Sequence, residues 1–241
     1  MPRLSLPLVL LVLALGALAA SAREFEDDRG TGGREPRAEL APGNAATDGE
    51  GPAATAPGHP GTGPRVRYRD SVAIGSPSAG RLIRGVRLPA QGAHFFTWDP
   101  IRKTFPNRHW RRFGTDDLVR TTLRVVRAFG RAHPNAPRVA VGDLSRTHGG
   151  DFGPQFGSIG HASHQNGLDV DIYYPRLDRA ERAPASVPQV DRRLAQDLVD
   201  RFVEAGAVKV FVGPSLGLRG PRDIVVPLVN HDNHLHARFA F

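Results

Sequence analysis

Two short segments hold five of the ten histidines in this chain of 241 residues. The five are His161 and His164 within residues 160–171, and His231, His234 and His236 within residues 231–236. Imidazole is the commonest metal ligand in proteins and the usual proton shuttle near neutral pH. The two segments therefore point to metal binding or acid–base chemistry.

The second segment ends in a His-x-His pattern beside apolar residues. On a β-strand, residues two apart project from the same face, so His234 and His236 would point into one cleft while Leu235 and Ala237 face a core. Buried imidazoles need hydrogen-bond partners. Two readings of the pattern stay open: a pair of surface histidines on an edge strand, and a metal site.

Acidic and apolar residues alternate in the first segment, where Leu168–Tyr174 has the pattern of a strand. Asp169 and Asp171 would share one face, opposite Val170 and Ile172. Acidic residues lower strand propensity and need a compensating partner when buried. A cation, an ion pair with one of the many arginines, or a solvated face would each supply it.

Taken together, the two segments favour a metal-binding site over the other interpretations. His164 lies seven residues before Asp171, and Gly167 between them would let a loop turn the imidazole back toward the strand. Two histidines, one carboxylate and an open fourth position are typical of catalytic zinc. The chain has no cysteine, so any metal must be held by nitrogen and oxygen ligands. Asp169 is predicted to orient a ligand from behind.

The first 22 residues resemble a signal peptide. Arg3 precedes an apolar run from Leu4 to Ala20, and Ala20-Ser21-Ala22 fits a cleavage site before Arg23. The alternative is an uncleaved membrane anchor, although the run is short for a bilayer. No other segment is long and apolar enough to span a membrane, so we expect a periplasmic or secreted protein.

Residues 23–64 are rich in Gly, Pro, Ala and acidic residues, which predicts a disordered linker before a domain at 65–241. That domain has 27 Lys and Arg residues against 16 acidic ones. Such a charge attracts polyanions, which outside the cell include anionic wall polymers, but arginine excess also follows from a GC-rich genome. No nucleic-acid-binding motif accompanies the charge, and we expect no nucleic-acid partner.

Two amphipathic helices are predicted, one after the N-cap Thr115 and ending before Pro134, the other at 191–205 with Gly206 as its cap. Predicted strands cover residues 71–75, 84–89, 138–144, 168–174, 208–212, 224–229 and 235–241. Few helices and several short strands without strict alternation indicate an α+β fold with a central antiparallel sheet.

The segments 160–171 and 231–238 resemble the penicillin-insensitive murein endopeptidases, part of a wider group with lysostaphin-type peptidases, D-Ala-D-Ala peptidases and hedgehog signalling domains. The shared pattern is a His, an Asp seven residues on, and a distant His-x-His. Val141–Ser145 and the glycine-rich stretch 149–157 are also similar to the family, as are residues 71–89. The likeness spans most of residues 71–241.

This resemblance implies a set of roles. His164, Asp171 and His236 would bind zinc, and His234 would assist the attacking water or stabilise the transition state. His161 and His231 correspond to further active-site histidines of the family. The implied fold is a small α+β domain whose antiparallel sheet carries the metal.

The implied activity is hydrolysis of peptide crosslinks in bacterial peptidoglycan, with peptidoglycan peptides as partners and Zn²⁺ as cofactor. Two alternatives stay open. One is a D-Ala-D-Ala carboxypeptidase or dipeptidase of the same group. The other is a non-catalytic wall-binding module that keeps zinc for structure.

Overall fold

The computed structural model describes residues 65–153 and 161–241. The predicted signal peptide at 1–22 and linker at 23–64 lie outside these residues, as do Gly160 and residues 154–157 of the glycine-rich stretch. Within the described part, no helix is both long and apolar enough to cross a bilayer.

The described residues form two α-helices and eleven strands. The helices are α1 (Asp116–Ala132) and α2 (Arg192–Glu204). The strands are β1 (Val72–Ser76), β2 (Ala79–Ile83), β3 (Val86–Arg87), β4 (Gln91–Gly92), β5 (Phe95–Thr97), β6 (Phe113–Gly114), β7 (Val139–Val141), β8 (Asp169–Tyr173), β9 (Lys209–Val212), β10 (Val225–Pro227) and β11 (His234–Arg238).

The helix α1 begins and ends where the sequence predicts, whereas α2 is one residue shorter at each end than the predicted 191–205 and has Ala205, not Gly206, as its C-cap. The Thr115 side chain accepts a hydrogen bond from the amide of Leu118, and Asp191 caps α2 in the same way through Leu194. The helix α1 ends at Ala132, two residues before Pro134. Each helix turns one apolar stripe toward the sheet.

A seven-stranded sheet organises the domain, in the order β10-β9-β11-β8-β7-β5-β4. The small pairs β1-β2 and β3-β6 lie outside it. Alternation gives the central strands two different faces. Val170, Ile172, Leu235 and Ala237 join the main core with both helices. The opposite face, here called the site face, carries Asp169, Asp171, His234 and His236.

The α+β class is confirmed, but the sheet is mixed. Its four middle strands, β9-β11-β8-β7, are antiparallel as predicted, whereas β5 pairs with β7 and β9 with β10 in parallel. Parallel neighbours need a long crossover connection. The chain supplies one through α1 between β5 and β7, and another through residues 213–224 between β9 and β10.

Candidate metal centre

The pairing of β8 with β11 brings the two histidine segments together. His236 lies directly opposite Asp171 in the ladder, and His234 lies opposite Tyr173. Residues that are 61 and 65 positions apart in the chain thus lie side by side on the site face. The sequence alone does not show that Asp171 and His236 are neighbours. The register of the two strands places them opposite each other.

A tight loop carries His164 to the same place. His164 has a left-handed backbone (φ 67°), and Gly167 follows with φ 79° and no room for a Cβ against the Leu82 side chain. The His164 amide donates to Asp169 Oδ2 at 2.9 Å, and Nδ1 donates to the Leu144 carbonyl at 2.6 Å. Because Nδ1 is engaged, Nε2 is the nitrogen left to face the strand.

Three imidazole nitrogens converge on one carboxylate oxygen. Asp171 Oδ1 lies 3.2 Å from His164 Nε2, 3.6 Å from His236 Nδ1 and 3.9 Å from His234 Nε2. Both Asp171 Oδ1 and His164 Nε2 are buried and make no hydrogen bond to any described residue. Buried polar atoms without partners are costly, and a cation bound among them would satisfy both. The donor set of imidazole and carboxylate suits zinc.

Asp169 accepts hydrogen bonds from two of these histidines, on the side away from Asp171. Its Oδ1 accepts from His236 Nε2 at 3.0 Å and from Arg238 Nε at 2.8 Å. Its Oδ2 accepts the His164 amide. With Nε2 of His236 donating to this carboxylate, Nδ1 carries the lone pair toward Asp171. A carboxylate behind a ligand histidine fixes both the tautomer and the ring orientation.

Sequence reasoning missed a third buried carboxylate, Asp143. Its Oδ1 accepts from Asn107 Nδ2 (2.8 Å) and Arg111 Nε (2.7 Å), and its Oδ2 accepts from Arg111 Nη2 (2.5 Å) and His161 Nε2 (2.8 Å). In the sequence, Asp143 lies near the end of the predicted strand 138–144 and within the family-like segment Val141–Ser145, but nothing marked it as a site residue. No spacing links it to Arg111, 32 residues earlier.

Two overlapping sets of candidate ligands are therefore present among the described residues. Among the described residues, His161, His164 and Asp171 have ligand atoms that all lie within 4.8 Å of one another. The predicted set has His236 in place of His161. The nitrogen of His161 near Asp171 is Nε2, at 3.8 Å, and this atom already bonds to Asp143. His236 Nδ1 has no such competitor, so the chemistry favours His236.

His234 and His231 stand at the open side of the cluster. Their rings stack with centroids 4.7 Å apart. His234 Nδ1 donates to Asn233 Oδ1 at 2.6 Å, which turns Nε2 toward Asp171, and the Tyr173 ring lies 5.5 Å away. His231 is half-buried, and its Nδ1 bonds to the Val229 carbonyl. His231 thus lines the rim, while His234 reaches the centre.

Burial and charge shift the pKa values of these groups in opposite directions. Burial alone would raise the pKa of Asp171, but the neighbouring His164 charge holds it well below the usual range. Burial opposes protonation of His164, yet Asp171 raises its pKa to about 9. Burial lowers the pKa of His234 to about 3 despite Asp171. A proton on His164 thus balances Asp171, and a metal ion would compete with that proton.

In a comparison with known proteins, residues 73–208 match the model of a family described as penicillin-insensitive murein endopeptidase. Three proteins called penicillin-insensitive murein endopeptidase, from Escherichia coli O157:H7 (strain EC4115 / EHEC), Escherichia coli O157:H7 and Escherichia coli O1:K1 / APEC, are each 35% identical over 128 residues. The alignment covers 53% of this chain and 40% of each relative. The family match ends before β9, so it does not include residues 231–236.

The ion pair at Asp143 predicts an acid-sensitive stability. Burial raises the Asp143 pKa, but the Arg111 and His161 contacts outweigh it and bring the pKa below the ordinary value. Between that folded-state pKa and the unfolded value of about 3.9, the unfolded chain binds more protons, so this stabilisation is present above pH 4 and lost as pH falls. Urea unfolding of chelator-treated protein from pH 6 to pH 3 should show a shallower loss for Asp143→Asn than for the unaltered chain. Equal slopes would contradict the assignment.

Proposed function

The chain belongs to the penicillin-insensitive murein endopeptidase family, and from this membership we propose that it is a zinc-dependent peptidase that hydrolyses peptide crosslinks of murein. The observation that carries the metal part of the proposal is the convergence of His164 Nε2 and His236 Nδ1 on Asp171 Oδ1. The substrate part rests on the family and on the names of the relatives, of which the aligned region covers two fifths.

The proposed ligands are His164, Asp171 and His236. Each imidazole has its other nitrogen engaged, His164 by the Leu144 carbonyl and His236 by Asp169. When bound, zinc would lower the pKa of a coordinated water toward about 7 and polarise the scissile carbonyl. The ordering of both rings before metal binding reduces the cost of assembling the site.

His234 is proposed to move the proton. Its Nε2 faces Asp171, its Nδ1 is held by Asn233, and burial keeps the ring neutral at pH 7. A neutral Nε2 can accept a proton from the attacking water and return it to the departing amine. His161 and His231, on either side, would hold the substrate or tune the site.

The proposed location is outside the cytoplasm, in line with the predicted leader at 1–22. The substrate would be the amide bond of a crosslink between wall peptides.

A stripe of exposed arginines on α1, Arg120, Arg124, Arg127 and Arg131, could hold the domain on anionic wall polymers. Sedimentation with isolated wall material should then weaken at moderate salt, and salt-independent binding would contradict this extension.

The activity is tested by incubating the full chain with crosslinked muropeptide dimers, with and without a chelator, and reading the products by mass spectrometry. We expect monomers only without chelator, and their return when zinc is added. Release of free D-Ala from uncrosslinked stem peptides, with dimers left intact, would indicate a carboxypeptidase instead. Intact substrates with a folded, zinc-loaded protein would indicate a binding module.

The ligand assignment predicts that His164→Ala, Asp171→Ala and His236→Ala each lose bound zinc and turnover together, because each removes a donor atom. Zinc per chain is measured by elemental analysis after dialysis. His148→Ala is the matched control, since His148 is exposed and its carbonyl, not its ring, makes the contact with Leu82. Full zinc retention by His236→Ala together with loss by His161→Ala would replace the proposed set by the other one.

A different result is expected for His234→Ala. Its ring nitrogen is the most distant of the three that face Asp171 Oδ1, so zinc content should stay at the unaltered level. Turnover should fall about 100-fold or more, the usual contribution of a positioned general base. Normal cleavage by a zinc-loaded variant would show that His234 has no part in proton transfer.

A further inference from the structure

Arg111 and Asp143 form an ion pair in the interior beside the candidate metal centre. Their side chains are 1% and 0% exposed, and two hydrogen bonds join them. Replacing a buried ion pair with apolar residues of similar volume is often neutral or even stabilising. The presence of this pair is therefore better explained by its effect on a neighbour than by stability.

That neighbour is His161. Its Nε2 lies 2.8 Å from Asp143 Oδ2, and its ring packs edge-on against Phe152 with centroids 5.2 Å apart. The Arg111 guanidinium lies 4.8 Å from the centre of the same Phe152 ring. Arg111 thus supports His161 through two contacts, Asp143 on one side and Phe152 on the other.

The backbone around Asp143 is tied to the proposed ligands. The Asp143 carbonyl accepts the Asp171 amide at 2.9 Å, and the Gly142 amide donates to the Asp171 carbonyl at 2.8 Å. The next residue, Leu144, accepts from His164 Nδ1. A change confined to the Asp143 side chain leaves these backbone contacts in place, so its effect on His161 can be separated from effects on the ligands.

We propose that Arg111 and Asp143 are a positioning pair that fixes His161 as an Nε2–H donor and holds it out of the metal's coordination. This inference rests on the proposed function and adds to it. An ionised carboxylate can only accept, so the Asp143 contact keeps the proton on Nε2. His161 then presents one constant tautomer beside the ligands, with Nδ1 as its remaining acceptor.

The decisive variant is Asp143→Asn, because an amide offers one acceptor oxygen where the carboxylate offers two. If that oxygen stays with Asn107 and Arg111 Nε, the amide NH₂ faces His161 Nε2. Two donors cannot bond, so the His161 proton moves to Nδ1. Long-range ¹H–¹⁵N spectra of the zinc-loaded full chain report this tautomer directly, with His161→Gln identifying the signal.

Kinetics with muropeptide dimers supply the second readout. We expect Asp143→Asn to keep its zinc and to lower kcat about 10- to 100-fold, the usual cost of losing a group that orients an active-site residue. In a His161→Gln background the same change should have no further effect, because the pair acts through His161. A purely structural role would lower activity equally in both backgrounds.

Asp99→Asn is the matched control. Asp99 is likewise fully buried and pairs with an arginine, Arg108, at 2.7 Å, and no described histidine contacts it. The Asp99→Asn change should leave the His161 tautomer unchanged. If Asp143→Asn does not fold, Arg111→Gln combined with Asp143→Asn leaves no unpaired interior charge and still presents an amide to His161.

An unchanged Nε2–H signal in folded Asp143→Asn, loss of zinc, or an undiminished effect without His161 would each overturn the positioning role. The spectra do not depend on turnover. A protein that shows the tautomer change but never cleaves dimers would retain the positioning pair and refute the proposed endopeptidase activity instead.

Discussion

Three carboxylates buried on one side of a single sheet are the constraint on which the rest of this domain depends. Asp143, Asp169 and Asp171 are at most 3% exposed. Burying like charges close together is prohibitively costly unless each has a positive partner. Arg111 serves Asp143 and Arg238 serves Asp169. Asp171 differs, since its ion-pair partners among the described residues are all imidazoles.

This difference divides the site into a frame and a centre. The two arginine-backed carboxylates form the frame, each orienting a histidine: His236 by Asp169, and His161 by Asp143. Asp171 forms the centre, where charge is balanced by whatever the imidazoles bind, a proton or a metal ion. Because β8 and β11 are packed on an apolar core, the strand residues Asp169, Asp171 and His236 have little freedom to adjust, and their candidate donor atoms are held in place.

Much of this arrangement could be predicted from the sequence because it depends on local periodicity. The alternation in β8 and β11 put Asp169, Asp171, His234 and His236 on one face, and capping residues located both helices. The Asp143–Arg111 pair could not be predicted, since it joins residues without shared periodicity through tertiary folding. The parallel pairs at the sheet's outer strands were missed for the same reason. Strand β2, Ala79–Ile83, carries glycine and arginine and lacks a clear alternation.

The sequence also left the choice between ligands to resemblance, and the geometry supplies a physical criterion. His161 and His236 each lie near Asp171, but the nearer nitrogen of His161 is occupied by Asp143, while that of His236 is not. Hydrogen bonds behind the imidazoles, rather than distance alone, therefore favour His236 over His161 as a candidate ligand.

The most direct test is a crystal structure of the zinc-loaded full chain with anomalous diffraction measured at the zinc edge. We expect one peak bonded to His164 Nε2, Asp171 and His236 Nδ1, with nitrogens at about 2.0–2.1 Å, and His161 still hydrogen-bonded to Asp143. A peak bonded to His161 in place of His236, or no peak at Asp171, would contradict the division of this site into a frame and a metal-binding centre.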